Sequence, residues 1–229
     1  MAAGLLSKPP VVSAILLAAG TSRRMGGRDK LLLEYKGKSL LERAIELLNC
    51  LECRDKIIVT TKARIEQVDL TCSANSAPTC IKTAAHVGLS SVVRAPDTSL
   101  AIHVVINPNP EAGQSSSLRL GLEAATGEWY LFMTADQPLL TSTCLQPMFE
   151  LAEKNTDKIV FPSVNGKPCT PTLFPARFRD SLMSLTGDIG GRAVRDAYPD
   201  ACLTFEAENP DGFMDIDCED DYQALIRFR

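Results

Sequence analysis

Ala14-Ile-Leu-Leu-Ala-Ala-Gly20-Thr-Ser-Arg-Arg-Met-Gly-Gly-Arg-Asp-Lys30 is the stretch on which the reading of the fold turns. The apolar run that contains its start, Val11 to Ala19, is short and rich in branched residues, the pattern of a strand buried on both faces. The run stops at Gly20. The loop beyond it carries Arg23, Arg24, Arg28 and Lys30, four cations within eight residues. A buried strand feeding a polar, glycine-bearing loop is how α/β proteins turn backbone N–H groups and cations toward phosphates. A basic surface turn after an ordinary first strand has the same composition, so the two readings must be separated by the rest of the chain.

Two familiar phosphate loops are excluded by spacing. Gly37-Lys38-Ser39 resembles the end of a Walker A motif, but Leu32 stands where its first glycine belongs. The dinucleotide pattern G-x-G-x-x-G fails because Gly20 is followed by Thr21 and Ser22.

Downstream, Ser39 followed by Glu42 forms a capping box, and apolar residues at 40, 41, 44, 45, 47 and 48 give a helix one wide apolar face. Lys56 to Thr61 reads as a second buried strand, followed by a helix through Val68, so a β-α-β unit and a parallel sheet are expected. Residues 71–100 are rich in Ser, Thr, Ala and Pro and have no period beyond a short helix near 82–87. They read as an insertion, either a binding loop or a decoration without a role. Ile102 to Asn107 is a third strand; a polar loop then leads into a helix from Leu118 to Thr126 with a serine as N-cap. The nucleophile elbow G-x-S-x-G is not met, because Ser117 occupies the place of the second glycine.

Trp129 to Ala135 is a very apolar strand that ends in Asp136-Gln137-Pro138. Ligands of α/β sheets lie at the carboxyl ends of such strands, and Mg²⁺ needs only one or two carboxylates besides substrate phosphates, which makes Asp136 a candidate ligand. Thr141 is the better cap for the following helix. Lys158 to Phe161 is a fifth strand, Asn165-Gly166-Lys167-Pro168 a turn, and a helix runs to about Leu185. Leu185-Thr-Gly-Asp188-Ile-Gly-Gly-Arg192 is loop chemistry that also fits a helix end followed by a new cap. In Met214-Asp215-Ile216-Asp217, alternation puts both carboxylates on one side of an extended segment, and Glu219 to Asp221 suit the start of a last helix.

Length and composition bound the rest. A chain of 229 residues with 45% hydrophobic and 23% charged residues fits one large globular domain, residues 11–229, with residues 1–10 as a flexible lead-in. A net charge of −4 argues against a general nucleic-acid partner but leaves room for a local basic pocket. No apolar run approaches 18 residues, so no membrane span is expected. The eight cysteines are scattered and no signal peptide is evident, which points to mostly buried, reduced thiols and a cytoplasmic setting. Cys50-Leu-Glu-Cys53 has zinc-like spacing without a second matching pair.

Leu17-Ala18-Ala19-Gly20, Arg24-Met25-Gly26 and Lys30 together resemble the N-terminal loop of nucleotidyltransferases and are most similar to that of the molybdenum cofactor (MobA/MocA-like) transferases, chiefly the cytidylyltransferases. Gly113-Gln-Ser-Ser-Ser-Leu-Arg, Asp136-Gln-Pro and Thr186-Gly-Asp extend the resemblance over about residues 11–226 outside the insertion. It implies a three-layer, Rossmann-like nucleotide-diphospho-sugar transferase fold with a mostly parallel mixed sheet. The implied reaction joins CTP to the terminal phosphate of molybdopterin cofactor and releases pyrophosphate, with Mg²⁺ as cofactor. Leu17, Ala18, Ala19, Gly20, Thr21, Ser22, Gly113 and Ser115 would bind the nucleotide, with Arg24 and Lys30 on its phosphates. Asp136, Asp215 and Asp217 would hold the metal, Asp215 ahead of Asp217, and Asp188 and Arg192 would border the pterin. A molybdenum hydroxylase is the implied recipient of the product. Arg23-Arg-Met-Gly-Gly with Asp29-Lys30 is equally similar to the GTP-using guanylyl branch. Pro168-Cys-Thr-Pro171-Thr172 is longer than the family pattern, which bears on the pterin contacts. A sugar- or polyol-phosphate nucleotidyltransferase, a non-catalytic cofactor carrier and a redox or metal role for the cysteines are the competing readings.

Overall fold

The structure, a computed structural model, describes residues 9–20, 25, 28–68 and 102–228. The expected insertion at 71–100, with its short helix, and the lead-in before residue 9 lie outside the described residues.

The first strand, β1 (Val12–Ala18), is buried on both faces, as its unbroken apolar sequence requires. A two-strand ribbon, β2 (Glu34–Tyr35) and β3 (Lys38–Ser39), turns through Lys36 and Gly37 and leads into α1 (Leu40–Cys50). The capping box is formed: Ser39 Oγ accepts from the Glu42 amide, and the Glu42 carboxylate accepts from the Ser39 amide at 2.6 Å. Next come β4 (Asp55–Thr60), the single turn α2 (Lys62–Ile65), which is shorter than expected, and β5 (Ile102–Ile106). The third helix, α3, runs Gln114–Ala124 and β6 follows at Trp129–Thr134. Thr141 caps α4 (Ser142–Lys154), as expected.

β7 (Ile159–Val164) turns through Asn165 and Gly166 into β8 (Lys167–Pro168) and returns as β9 (Thr172–Pro175). The link from β7 to β9 is too short for a parallel crossover, so β9 runs antiparallel to both β7 and β6. The chain ends with α5 (Arg179–Met183), α6 (Arg192–Ala197), β10 (Cys202–Glu206) and α7 (Glu219–Arg227).

Among the described residues eight strands form one sheet in the order β10-β7-β9-β6-β1-β4-β5, with β8 on β7. The pairs β1–β4, β1–β6, β4–β5 and β7–β10 are parallel. One face packs Leu16, Leu131 and Ile58 against Leu41, Leu48, Leu145 and Met148 of α1 and α4. The other packs Ile15, Ile57 and Phe132 against Leu118 and Leu122 of α3 and Leu182 and Val194 of α5 and α6. The result is the expected three-layer α/β arrangement with a mixed, mostly parallel sheet. Gly121 lets α3 press on β1, since a Cβ there would lie 2.4 Å from Ile15 Cγ2.

α3 corrects the sequence reading. It begins at Gln114, four residues before the expected start, and its N-cap is Gly113 (φ 91°) without a side-chain cap. The three serines lie inside the first turn with their hydroxyls committed. Ser115 Oγ donates to Gly187 O at 2.8 Å, Ser116 Oγ donates to Gly113 O at 2.8 Å, and Asn107 Nδ2 donates to Ser116 and Ser117 at 2.9 Å each.

Candidate active site

Chain order along the sheet fixes where a ligand fits. From β1 the chain moves to β4 and β5 on one side, then crosses to β6 on the other, so the strand order reverses between β1 and β6. Open α/β sheets bind ligands at the carboxyl ends of the strands at such a switch point. A cavity of about 440 Å³ lies there, lined among others by Gly20 and Lys30 following β1 and by Thr134 and Asp136 at the end of β6.

Lys30 Nζ donates to Asp136 Oδ2 at 2.7 Å and to Asp217 Oδ1 at 2.9 Å, so residues from three distant parts of the chain meet on one ammonium. Burial alone would lower the Lys30 pKa, but the two carboxylates outweigh it and hold the group above its ordinary value. Asp217 arrives there because Ile216 is fully buried and its amide donates to Asp136 O at 2.9 Å. With Ile216 turned into the core, Asp215 and Asp217 face the other way together, as the alternation predicts. Asp217 lines the cavity, whereas Asp215, expected ahead of it as a metal ligand, is exposed and outside the lining. Desolvation of the Asp215 carboxyl, then the negative charges of Asp136 and Asp217, pushes it up to about 6. The start of α7 is capped by Asp221, which accepts from the amides of Asp217 and Cys218.

The opposite wall is a seam between two loops. Gly113 and Gln114 meet Gly187 and Asp188: the Ser115 amide donates to Gly187 O at 3.2 Å, and the Gln114 amide donates to Asp188 Oδ1 at 3.3 Å. A Cβ on Gly113 would lie 2.4 Å from Gly187 C and O, so glycine is required by close approach as well as by φ.

Of the residues expected to contact the nucleotide, Leu17, Ala19, Gly20, Lys30, Gly113 and Asp136 line the cavity, as does Asp188 from the expected pterin side. Ala18 faces the opposite way into the core, a consequence of strand alternation. Ser115 is a correction: it is fully buried with its hydroxyl spent on Gly187, and Ser117 lines the cavity instead. Arg192 is exposed at the first residue of α6, outside the cavity lining. Thr21, Ser22 and Arg24 lie outside the described residues. The thiols also differ from expectation. Among the described residues Cys50 is exposed and Cys53, Cys144, Cys169, Cys202 and Cys218 are only partly covered, all of them free.

Three supporting residues were given no role of their own by the sequence reading. Asn107 ends β5 and holds Ser116 and Ser117 in place. Gln137 is buried behind Asp136, with Nε2 donating to Thr170 O at 3.2 Å and Oγ1 at 3.1 Å. Arg64 of α2 is buried against the start of the basic loop. Each is a polar residue at the end of an element, a weak signal in sequence because exposed residues look the same.

The donors present suit a hard divalent cation. Asp136 Oδ1 is buried without a hydrogen-bond partner in the described structure, and Asp217 already shares a cation with Asp136. Among the described residues no group of three or more His, Cys, Asp or Glu is arranged for a metal. One or two carboxylates completed by substrate phosphates is nevertheless the usual way in which Mg²⁺ is bound.

A switch-point cavity with a lysine, a carboxylate and glycine-bearing loops, on this mixed sheet between two helical layers, is the arrangement of the nucleotidyltransferase fold. Residues 14–202 match the MobA-like NTP transferase domain, and the chain belongs to that family. It is similar to a molybdenum cofactor guanylyltransferase of Pseudomonas syringae pv. tomato, with 30% identity over 88% of this chain and 87% of that protein. It also resembles the purine catabolism protein PucB of Bacillus subtilis, with 25% identity over 96% of this chain and 98% of the other. Against a Methanosarcina acetivorans relative, at 29% identity, the match covers 61% of this chain and only 52% of the relative. A solved nucleotidyl transferase from Methanothermobacter thermautotroptrophicus shares the fold, with TM-score 0.70 and 21% identity over 96% of this chain and 99% of that one. Among the described residues no helix is long and apolar enough to cross a membrane.

Proposed function

We propose that the protein joins the nucleotidyl group of CTP to the terminal phosphate of a molybdopterin-type cofactor and releases pyrophosphate. The observation that carries this reading is the meeting of Lys30, Asp136 and Asp217 beside a cavity at the β1–β6 switch point. Family membership and the guanylyltransferase relative support the same class of reaction.

In the proposed chemistry an oxygen of the pterin phosphate attacks the α-phosphorus of the nucleotide. A P–O bond forms there as the bond from the α-phosphorus to the bridging oxygen of the β-phosphate breaks, and the electron pair leaves with pyrophosphate. The attacking phosphate is already ionised, so no side chain has to take up a proton. The chain's task is positioning and charge neutralisation. Lys30 pairs with phosphate oxygens and with the departing pyrophosphate, a role that Arg24 shares by resemblance. The seam of Gly113 and Asp188 forms the far wall against which the nucleotide and the pterin side are arranged. Asp136, with Asp217 or Asp215, would hold Mg²⁺, which when bound offsets charge on the phosphate oxygens. The dinucleotide product would pass to a molybdenum hydroxylase.

GTP is the second reading, favoured by the name of the Pseudomonas relative and by the Arg23-Arg-Met-Gly-Gly phrase. Pyrophosphate release, measured with Mg²⁺, molybdenum-loaded molybdopterin and CTP or GTP in parallel, separates the two. Release with CTP alone is the expected result. Release with GTP instead keeps the mechanism and replaces the base. Pterin binding without release from either nucleotide overturns the enzymatic reading in favour of a carrier.

A further inference from the structure

Arg64 belongs to none of the motifs in the sequence, yet it is only 6% exposed and each of its three guanidinium nitrogens donates a hydrogen bond. Nη1 donates to Ala18 O and Nη2 donates to Gly20 O at 2.9 Å, both at the end of β1. Nε donates to Asp29 Oδ2 at 2.6 Å. The other oxygen of Asp29, Oδ1, accepts from the Leu31 amide at 3.1 Å and caps the turn Lys30–Leu32. One planar fork therefore grips the outgoing strand at Gly20 and, through Asp29, the turn that presents Lys30. Thr60 Oγ1 adds a donor to Ala18 O at 3.2 Å.

We infer that Arg64 is a positioning residue for the nucleotide's phosphates: it fixes Lys30 relative to Gly20, and so sets where the ammonium meets the triphosphate. The inference rests on the nucleotidyltransferase reading above. Both ends that Arg64 joins line the cavity, whereas Arg64 itself does not. Its fan of donors explains why arginine is needed. Lysine keeps the charge but, as a compact point charge, cannot reproduce a rigid fork spanning two carbonyls and a carboxylate. Arg64 is the buried member of the ion pair with Asp29, so removing Asp29 leaves a buried guanidinium charge without its carboxylate.

The test measures Kd for CTP and GTP by calorimetry and the separate KM values for nucleotide and pterin, in wild-type protein, Arg64→Lys, Arg64→Ala and Asp29→Asn. Thermal unfolding selects the variants that fold, and Asp29→Asn, which leaves Arg64 in place, serves if both arginine variants fail. The expected result is a loss of nucleotide affinity of about tenfold or more, as for a charge-assisted bond network, with the pterin KM nearly unchanged. Millimolar guanidinium, far below denaturing concentrations, should restore part of the nucleotide affinity of Arg64→Ala. Folded variants that bind nucleotide like wild type overturn the inference. So does an equal loss toward nucleotide and pterin that guanidinium does not relieve, which marks a structural role only. Wild-type protein that binds neither nucleotide overturns the functional reading, and this inference with it.

Discussion

Replacing Gly113 by alanine tests whether the seam between the two loops shapes the active site. The residue has φ 91° and ψ 178°, a region that is essentially reserved for glycine and costs a side-chain-bearing residue about 1–3 kcal/mol. The added Cβ would lie 2.4 Å from Gly187 C and O and 2.5 Å from Asp188 N, all backbone atoms that cannot rotate aside. Restoring ordinary contact moves the 187–188 loop by about 1 Å and strains three hydrogen bonds, from the Ser115 amide, Ser115 Oγ and the Gln114 amide, each worth about 1 kcal/mol. Because the loop can part from the helix instead of keeping every strain, the expected loss is about 3 kcal/mol, which a domain of ordinary stability survives. A displacement of this size at the wall of the site is expected to lower kcat/KM by about 10²-fold. Urea unfolding followed by the single tryptophan, the buried Trp129, gives the stability, and pyrophosphate release gives the activity. Gly166→Ala is the control, since that glycine has φ 71° and no atom within 4 Å of a built Cβ, so it bears only a backbone cost of about 1–2 kcal/mol. If Gly113→Ala behaved like Gly166→Ala in both assays, the seam would not be what shapes the cavity.

Two further outcomes follow from the site and its surroundings. Asp136→Asn should lower pyrophosphate release by about 10²–10³, comparable to losing one preorganised electrostatic contact, and saturating Mg²⁺ should not restore it; near-full activity in a metal titration would remove Asp136 from the metal site. Burial, opposed by Lys56 and reinforced by Asp55, pushes the Cys53 thiol up to about 11, so at pH 8 only about one thiol in a thousand is ionised. Alkylation mapped by mass spectrometry should therefore mark the exposed Cys50 well before Cys53, with the gap closing as pH rises toward 11; equal rates at pH 8 would contradict that environment.

Much of the frame was legible because it depends on local pattern. Runs of branched apolar residues gave β1, β4 and β6 to within a residue or so, and the Ser39–Glu42 box placed the start of α1. The helix at 114 was misplaced because its cap is a glycine held open by contact with Gly187, while the serines that look like caps are spent on the neighbouring loop. β9 and β10 went unread for another reason. β9 is four residues long, and β10 has no fully buried residue to give it a hydrophobic signature.

For the site, the sequence by itself determined the chemistry on offer. Lys30 after a buried strand, Asp136 at the end of another and the alternating Asp215-Ile216-Asp217 are properties of short segments, and each kept its local geometry in the fold. Only the tertiary structure decided which of them meet. Strand order placed β6 beside β1, and the bond from Ile216 to Asp136 O brought Asp217 to Lys30, although that last pair lies 187 positions apart in the chain. The same holds for Arg64, whose partners lie 35 to 46 positions away. A polar side chain takes its role from the few atoms within hydrogen-bond reach, and over such distances along the chain those atoms are chosen by the packing of the sheet and its helices.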